Sequence, residues 1–416
     1  MRQLRETRNY DSLNGKWLYA AFLVVVLAFG GVWLSSHLPN LSITGYASGA
    51  PSSGPLERVL IVPSSSAASA EAKAQLTDKI QHEFSDGSFT AEIPSSSKAA
   101  LKRFGEVKAV PQLRIPQPKS EQASGRAAAG RTCTPSVQKP WGVAKVGGGS
   151  GGAGINIAIL DTGVAKHADL STAVCMDTTT RNIKPGCKDQ NGHGTHVAGI
   201  AAANGGSDGK GIFGVAPQAG LWAIKVCKAD GTCYADDVAE GIYYAVNNGA
   251  NIISMSFGAD MDIPLIRSAI EYGVQHGALF VAAAGNDGSA DGTIDWPAAN
   301  FKVIAVGAID STDAIASWSS RGINSLTIPY SVEERDIEFA APGVLIESTW
   351  NDGCYRILSG TSMAAPHVAG LAAKLWQGSA AATRDYLQYI ARYNYADIGG
   401  AGDDNAAGFG LPVATA

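Results

Sequence analysis

The run Ile155-Asn-Ile-Ala-Ile-Leu160 decides the fold, because it is apolar at nearly every position and is followed directly by Asp161-Thr-Gly163. A strand without a polar face is typical of a parallel sheet that helices cover on both sides. Four further apolar runs follow it, and candidate helices separate them. This alternation over residues 133–416 predicts an α/β fold with a doubly wound, mainly parallel sheet.

The other predicted strands are Leu221–Val226, Ile252–Phe257, Leu279–Ala283 and Val303–Val306. The predicted helices are His196–Ala203, Ala235–Asn247, Ile263–His276, Met363–Trp376 and Thr383–Tyr393. In such a sheet, functional sites form at the carboxyl ends of the strands. Polar residues that directly follow a strand are therefore the first candidates for functional side chains.

Four polar residues lie next to the end of a predicted strand or the start of a predicted helix, where functional side chains are expected. They are Asp161 after the first strand, His193 where a helix opens, Asn286 after a later strand, and Ser362 at the start of a helix of small residues. Taken alone, Asp161 and Asn286 also suit turns. Ser362 also suits a helix N-cap. His193 with His196 would also suit a zinc pair, and His196 a hydrogen-bonded core histidine.

Taken together, the motifs around these residues resemble those of the subtilisin-like serine proteases, or subtilases. The motifs are Ile159-Leu-Asp-Thr-Gly163, His193-Gly-Thr-His-Val-Ala-Gly199, Ala284-Gly-Asn286 and Gly360-Thr-Ser-Met-Ala-Ala-Pro366. They follow the family's order: His193 comes 32 positions after Asp161, and Ser362 comes 169 positions after His193. The resemblance covers residues 137–412 and implies a serine endopeptidase with a subtilisin-like fold.

The resemblance assigns a role to each matching position. Ser362 is expected to attack the scissile carbonyl, and His193 to accept its proton and pass it to the leaving amine. Asp161 is expected to orient His193, and Asn286 to donate a hydrogen bond to the oxyanion. This chemistry needs no cofactor, and its substrates are polypeptides.

The resemblance also places the pocket for the P1 side chain, the residue before the scissile bond. Ser256, Phe257 and Gly258 are expected to line one wall, and Ala284 and Gly285 lie on another. Asp295 falls at the floor and Asp287 at the rim, so a preference for Arg or Lys follows unless both acids are solvated loop residues. The bond Trp296–Pro297 is expected to be cis by the same resemblance.

Structural calcium is a further expectation from the family. Gln138 and Asp169 match ligand positions, and the loop that starts at Asn204 offers oxygen ligands, which suit Ca²⁺. This loop is longer than usual in the family and carries Lys210, which leaves the site in doubt.

Six cysteines, all at or after Cys133, favour disulfides in an oxidising compartment. Six cysteines allow 15 pairings. Proximity in the sequence favours Cys175–Cys187 and Cys227–Cys233, which leaves Cys133–Cys354. The alternative is a set of free buried thiols in a cytosolic enzyme.

The N-terminus points to export. Residues 17–34 carry no charge, and the cations before them place residue 1 in the cytoplasm. Two interpretations stay open: an uncleaved membrane anchor, or a long signal peptide cut near residues 45–50. In either case the remainder of the chain is predicted to lie outside the cytoplasm, either anchored or secreted.

The chain is predicted to divide into five segments. They are a cytoplasmic n-region with an anchor or signal peptide at 1–36, a linker at 37–56, a small α/β domain resembling an inhibitory propeptide at 57–117, a cleavable connector at 118–132, and the peptidase domain at 133–416. Within 57–117, helices are expected from Ala70 to Phe84 and from Lys98 to Val107. The connector offers Arg126 and Arg131 as self-cleavage sites, so a self-processing zymogen with its own propeptide as inhibitor is predicted.

Composition excludes one class of function and leaves two rivals. A net charge of −5 with 17% charged residues excludes a strongly basic nucleic-acid binder. One rival is a catalytically retired, membrane-tethered binding module, although no triad residue is missing. The other is a metal-dependent hydrolase that uses His193 and His196. The protein is expected to act as a monomer.

Overall fold

The structure is a computed structural model that describes residues 54–116, 133–324, 331–393, 395, 397–400 and 402–415. All of these belong to one structural unit that begins at Ser52. The predicted apolar segment 17–34 and the predicted connector 118–132 lie outside the described residues. Within the described part of the chain, no helix combines the length and the apolar character needed to cross a bilayer.

Residues 54–116 form a small α/β layer, called the N-terminal unit below. Its elements are β1 (Leu56–Pro63), α1 (Ser66–Leu76), β2 (Ile80–Glu83), β3 (Phe89–Pro94), α2 (Lys98–Leu101), β4 (Gly105–Ala109) and β5 (Gln112–Arg114). Four strands make an antiparallel sheet in the order β2-β3-β1-β4. Alternate residues of β1, Val59 and Ile61, point into a core shared with Phe89 and Ile93.

Both helices predicted in this unit are too long. The expected helix from Ala70 to Phe84 ends at Leu76, because Ile80–Glu83 pairs with β3 instead. The expected helix from Lys98 to Val107 is α-helical only as far as Leu101, and β4 then pairs with β1. In both cases pairing with a distant strand outweighs local helix propensity.

Residues from 133 onward form a sheet covered by helices on both faces. The elements up to residue 247 are α3 (Trp141–Lys145), β6 (Asn156–Asp161), β7 (Thr172–Asp177), β8 (Lys184–Pro185), α4 (His193–Ala202), β9 (Gly220–Lys225), β10 (Thr232–Tyr234) and α5 (Ala235–Asn247). The later ones are β11 (Ile252–Met255), α6 (Pro264–Gln275), β12 (Leu279–Ala283), β13 (Val303–Ile309), β14 (Phe339–Pro342), β15 (Ile346–Thr349), β16 (Tyr355–Leu358), α7 (Thr361–Lys374) and α8 (Ala380–Tyr393).

The sheet has eight strands in the order β14-β13-β12-β11-β6-β9-β7-β8. All neighbours pair in parallel except β7 and β8. This confirms the doubly wound, mainly parallel sheet. After β6 the chain forms β7, β8 and β9 on one side of it and then crosses to β11 on the other side, so the end of β6 lies where the strand order reverses.

Side chains of β6 alternate between two cores. Ile157 and Ile159 pack with α4 and α7, whereas Ala158 and Leu160 pack with α5 and α6. Because both faces are covered, each position of this strand needs an apolar residue. The apolar run that stood out in the sequence is therefore a direct result of burial on two sides.

The predicted elements of the sheet agree with the structure apart from their ends. Helix α5 has the predicted bounds, and α4 begins at His193 rather than at His196. Strands β7, β8 and β14 were not predicted; β7 is only partly buried and lacks a continuous apolar run, and β8 has only two residues.

Three disulfides cross-link the part of the chain after residue 132. They are Cys133–Cys354, Cys175–Cys187 and Cys227–Cys233, and no cysteine of the described structure is free. The predicted pairing is confirmed. The first of them joins the start of this part to the turn between β15 and β16.

Close contact between α4 and α7 gives a test of the packing. A Cβ added at Gly370 would lie 2.6 Å from Cβ of Val215 and 3.1 Å from the carbonyl oxygen of Ala201. Glycine to alanine in an exposed helix stabilises by about 1 kcal/mol, but overpacking costs about 1–3 kcal/mol. We expect Gly370→Ala to lower the free energy of unfolding, measured by urea titration in a Ser362→Ala background that prevents self-digestion.

The exposed position Ser268 in α6 serves as the control. Ser268→Ala should change the free energy of unfolding by no more than about 0.5 kcal/mol. A Gly370→Ala protein that is more stable than its parent would contradict the packing described here.

Candidate active site

Asp161 and His193 form the best-defined polar contact of the site. Asp161 is the last residue of β6 and His193 is the first residue of α4. Nδ1 of His193 lies 2.9 Å from Oδ1 and 3.0 Å from Oδ2 of Asp161. Both side chains are buried, and the amide of Thr162 donates a further hydrogen bond to Oδ1 of Asp161 at 2.7 Å. The carboxylate therefore holds the imidazole with Nε2 facing away from it.

Two residues that the sequence analysis missed position this pair. Oδ1 of Asp189 accepts the amide N–H of Gly192, and its Oδ2 accepts the amide and hydroxyl of Thr195, so Asp189 holds the first turn of α4. Gly194 allows that turn to approach β6, because an added Cβ would lie 2.2 Å from the carbonyl oxygen of Gly163. An acid four residues before His193, at a predicted helix start, is the signal that would have pointed to Asp189.

Ser362 lies in the first turn of α7, beside the end of β11. Its Oγ donates to the carbonyl oxygen of Ser256 at 3.3 Å, and Oγ of Ser256 donates to the carbonyl oxygen of Ser362 at 3.1 Å. Nε2 of His193 is buried and has no hydrogen-bond partner in the described structure. The structure thus joins Ser362 to Ser256, and it leaves an imidazole nitrogen of His193 unpaired.

Asn286 follows β12 and has a fixed orientation. Its Oδ1 accepts the backbone amide and the hydroxyl of Thr361, both at 3.0 Å. Its Nδ2 is buried without a partner among the described residues. An N–H donor held rigidly beside the start of α7 suits a developing negative charge.

Asp295 lies between the two segments predicted to line the P1 pocket. A Cβ added at Gly258 would lie 2.5 Å from Oδ2 of Asp295, and one added at Gly285 would lie 2.7 Å from the same oxygen. The bond Trp296–Pro297 next to it is cis, as predicted. Burial raises the pKa of Asp295 to about 7, with smaller contributions from the carboxylates of Asp287 and Asp260.

The remaining predicted pocket residues differ in exposure. Phe257 and Ala284 are buried in the core with α5 and α6, so their side chains face the interior. Asp287 is exposed, and its backbone amide donates a hydrogen bond to Oγ of Ser320 at 3.0 Å. Of the predicted acids, Asp295 is thus the one enclosed by the pocket walls.

His196 is a core histidine. Its Nε2 lies 3.1 Å from the carbonyl oxygens of Ile346 and Arg356. Burial lowers the pKa of His196 to about 3, so the ring is neutral. Within the described residues, the one group of acids and histidines compact enough to hold a metal ion is His82 with Asp236 and Asp237, and Arg58 already binds both acids.

The predicted calcium ligands converge on one loop. The side-chain nitrogen of Gln138 contacts the carbonyl oxygen of Gly209. Oδ2 of Asp169 accepts the amide of Ile212 and the hydroxyl of Tyr355, both at 2.8 Å. The amide of Asn204 donates to the backbone oxygen of Asp169 at 2.8 Å. The oxygens of Asp169 and the side-chain oxygen of Asn204 are of the type that Ca²⁺ prefers, and in this structure they accept hydrogen bonds from the protein itself.

The last part of the N-terminal unit lies beside His193. Residues 112–116, called the tail below, form the middle strand between β10 and the segment after β11. The amide of Arg114 donates to the carbonyl oxygen of Gly258, and the carbonyl oxygen of Arg114 accepts from the amide of Gly258, both at 2.9 Å. The amide of Ile115 donates to the carbonyl oxygen of Gly231 at 3.0 Å. Pro116 and His193 line the same small cavity.

A buried ion cluster holds the body of the N-terminal unit. Arg58 donates to Oδ2 of Asp236 at 2.9 Å and to both carboxylate oxygens of Asp237 at 2.5 and 3.0 Å. Nε2 of His82 lies 2.8 Å from Asp237, and the hydroxyl of Thr90 donates to Asp236 at 2.5 Å. Burial alone would lower the pKa of Arg58, but the carboxylates of Asp237 and Asp236 outweigh it and raise the pKa.

Comparison with known proteins agrees with this geometry. A model of the Subtilase family matches residues 152–410. A subtilisin from Bacillus sp. (strain TA39) is 38% identical over 430 aligned residues, which cover 96% of this chain and 98% of that protein. The minor extracellular protease Epr of Bacillus subtilis (strain 168) is 37% identical over 260 residues, which cover 62% of this chain and 38% of that protein.

Solved structures give the same result. Sphericase is 45% identical, with a TM-score of 0.64, and the match covers 67% of this chain and 99% of that chain. The S41 psychrophilic protease is 44% identical, with a TM-score of 0.65 and the same two coverages. With a family model that matches more than half of its length and a relative aligned over nearly all of it, the chain belongs to the subtilase family of serine endopeptidases.

Proposed function

We propose that this protein is an exported endopeptidase, made as a self-processing zymogen, in which Asp161, His193 and Ser362 form the catalytic triad. The observation that carries the proposal is the contact of Asp161 with Nδ1 of His193, which leaves Nε2 buried and unpaired. A neutral imidazole held in this way accepts a proton only at Nε2. Ser362, in the first turn of α7, supplies the hydroxyl.

The reaction then proceeds in two halves. Oγ of Ser362 bonds to the scissile carbonyl carbon while its proton moves to Nε2 of His193, and Asp161 stabilises the resulting imidazolium. The carbonyl oxygen becomes an oxyanion, which Nδ2 of Asn286 and the amide of Ser362 stabilise. The C–N bond breaks as His193 protonates the leaving amine, and water hydrolyses the acyl-enzyme by the same proton path.

The N-terminal unit is proposed to be the inhibitory propeptide. Its tail fills the strand position beside Gly258, and Arg58 anchors its body to Asp236 and Asp237. The match to the Bacillus sp. subtilisin extends over 96% of this chain, well beyond the family domain. Removal of the unit through the connector at 118–132 would open the cleft.

Export is proposed from two features. Three disulfides favour an oxidising compartment. The uncharged run at 17–34 suits a signal peptide or an anchor. The relative from Bacillus subtilis is described as extracellular, which agrees with this proposal.

A preference for Arg or Lys at P1 is proposed from Asp295. Its carboxylate lies against both walls of the pocket, and a charged hydrogen bond to a cationic side chain would offset its burial. Asp287 and Asp260, which both raise the pKa of Asp295, add negative potential on the same side.

A structural calcium ion is proposed at Gln138, Asp169 and the loop that starts at Asn204. The ion would tie the start of the peptidase domain to the end of α4 and would take no part in the proton transfers. The carboxylate of Asp169 already accepts a hydrogen bond from the amide of Ile212 in this loop, which supports its proposed role as a ligand.

Removal of the proposed nucleophile should lower kcat far more than removal of the proposed oxyanion donor. We expect Ser362→Ala to lower kcat about 10⁶-fold and Asn286→Ala to lower it about 10²–10³-fold with little change in KM. Both magnitudes are values for a subtilisin and do not follow from the distances in the present structure. Steady-state hydrolysis of a chromogenic peptide measures both effects, with each protein supplied in processed form.

Labelling by a fluorophosphonate separates an active enzyme from a retired one. The processed wild type should carry the adduct on Ser362, and Ser362→Ala should not. If the processed wild type remains unlabelled, the binding-module alternative becomes the better explanation of the fold.

The proposed P1 preference should depend on pH. Above pH 7 Asp295 is ionised and attracts a cationic P1 side chain, whereas below pH 7 it is increasingly neutral. We expect the ratio of kcat/KM for Arg over Leu at P1 to fall as pH decreases through about 7. Asp295→Asn should lower this ratio about 10- to 100-fold at high pH and remove its pH dependence.

The exposed acid Asp287 gives the matched control. Asp287→Asn should keep most of the preference, because its carboxylate lies in solvent. A wild-type enzyme that cleaves after Leu better than after Arg at every pH would overturn the proposed preference.

Calcium should stabilise the fold measurably. At free calcium about a hundredfold above Kd, we expect about 2.7 kcal/mol of stabilisation, seen as a higher melting temperature of Ser362→Ala in calcium than in EDTA. Asn204→Ala should reduce the difference. An identical melting temperature in both conditions would count against the site.

A further inference from the structure

The hairpin at residues 227–233 leads into β10, the strand that pairs with the tail on the side opposite Gly258. Its two arms form an isolated antiparallel bridge at Cys227 and Cys233, and a disulfide joins these two residues. Both cysteines are fully buried. A polypeptide that adds a strand beside Gly258 would meet the second arm of the hairpin along its other edge. The conformation of the hairpin therefore affects how such a polypeptide is bound.

The first arm of the hairpin is fixed relative to Asp161. The amides of Val226 and Cys227 both donate to the backbone carbonyl oxygen of Asp161, at 2.9 and 3.1 Å. Lys225 is buried, and its Nζ donates to the carbonyl oxygens of Thr162 and Cys227, at 2.6 and 2.8 Å. Cys227 is thus held by the strand end that carries the acid of the proposed triad.

The second arm depends on the disulfide for its position. Across the hairpin, the amide of Lys228 donates to the carbonyl oxygen of Thr232 at 2.8 Å. The amide of Thr232 does not return to the first arm, because it donates to Oδ1 of Asp230 in the turn at 2.9 Å. The bond between the two sulfur atoms is therefore the strongest link between the arms.

The segment that the disulfide holds in place is short. The side chain of Asn191 donates to the carbonyl oxygen of Ala229 at 2.9 Å, which supports the turn, and α5 fixes the chain from Ala235 onward. Residues 231–233 lie between these two supports. They face the tail directly, because the carbonyl oxygen of residue 231 accepts a hydrogen bond from the tail and Cys233 lies opposite Leu113.

This disulfide closes a shorter loop than the other two. Its cysteines are 6 positions apart, whereas those of Cys175–Cys187 are 12 apart and those of Cys133–Cys354 are 221 apart. In the chain-entropy model, the stabilisation of the whole fold grows with the length of the closed loop. We therefore expect this link to contribute the least of the three to global stability. Its location beside the tail gives it a local effect, which is to order backbone before a peptide binds.

We propose that the disulfide Cys227–Cys233 is a positioning element that holds residues 231–233 ready to pair with a polypeptide substrate, and that it sets the affinity for extended substrates rather than the rate of bond cleavage. This inference rests on the proposed function. Without the link, these residues would be ordered only on binding, and ordering the backbone of about one residue weakens binding roughly tenfold. The proton path through Asp161 is unaffected, because the first arm keeps its hydrogen bonds to that residue.

Steady-state kinetics of the double variant Cys227→Ala with Cys233→Ala test the proposal. Enzyme processed from the full chain is assayed on two chromogenic substrates with the same P1 residue. One is a six-residue peptide p-nitroanilide, which is longer than the tail, and the other is a single-residue p-nitrophenyl ester, which is too short to reach β10. For the peptide, we expect KM to rise roughly tenfold while kcat changes by less than about twofold. For the ester, both constants should stay close to those of the wild type.

The double variant Cys175→Ala with Cys187→Ala is the matched control. It removes another short disulfide, which joins β7 to the segment before α4 and not to β10. Because its loop is longer, its loss should lower the melting temperature at least as much. It should leave the KM for the peptide unchanged.

Hydrogen exchange gives a second readout, which the wild type alone can contradict. Processed wild type is blocked with a fluorophosphonate to prevent self-digestion, and exchange is followed by mass spectrometry of peptides that cover residues 228–233. The amide of Lys228, which donates across the hairpin, should exchange slowly with no peptide bound. Exchange of this amide at the rate of an unstructured chain would show that the disulfide does not hold the second arm, and would overturn the proposal even where the double variant fails to fold.

The kinetic results can also contradict the proposal. An unchanged KM for the peptide in Cys227→Ala with Cys233→Ala, an equal rise in KM in the control variant, or an effect confined to kcat would each overturn it. In all three cases the wild type hydrolyses both substrates, so the proposed function would stand. If the processed wild type hydrolysed neither substrate, the proposed function itself would fail.

Discussion

The contact between Asp161 and His193 constrains much of the structure around it. A buried carboxylate is costly unless its oxygens are satisfied, and here Thr162 and the imidazole supply the donors. To bring them together, β6 must end where the first turn of α4 begins, and that turn must be held in place by Asp189. The end of β6 lies where the strand order reverses, which is the place in this fold where such a crevice opens.

The cleft and its occupant follow from the same sheet. Ser256 and Asn286 follow the ends of β11 and β12 closely, so strand ends rather than long loops hold the proposed peptide-binding edge and the proposed oxyanion donor. The tail pairs with that edge, as a substrate is proposed to do. In this arrangement the N-terminal unit needs few side-chain contacts in the cleft, because the backbone ladder provides the register and Arg58 provides a distant anchor.

The sequence predicts the sheet, the cysteine pairing and the elements that carry the site, because these depend on burial and on neighbours in the chain. Residues Ile80–Glu83 look helical locally, and only pairing with β3 makes them a strand. Arg58 and Asp237 are 179 positions apart, so no local pattern links them. The hydrogen bond from Ser362 to Ser256 and the exposure of Asp287 likewise depend on three-dimensional packing, which motifs do not encode.

The ion cluster at Arg58 affects how readily the N-terminal unit can separate from the part of the chain after residue 132. Paired charges regain their hydration when they separate, so the free energy of contact is smaller than that of an apolar surface of equal size. Asp236 and Asp237 lie in the first turn of α5, where the helix dipole favours them even without the guanidinium. If the N-terminal unit is released as proposed, the two acids stay favoured by the dipole of α5, whereas the apolar residues that packed on Val110, Leu113 and Ile115 become exposed to water.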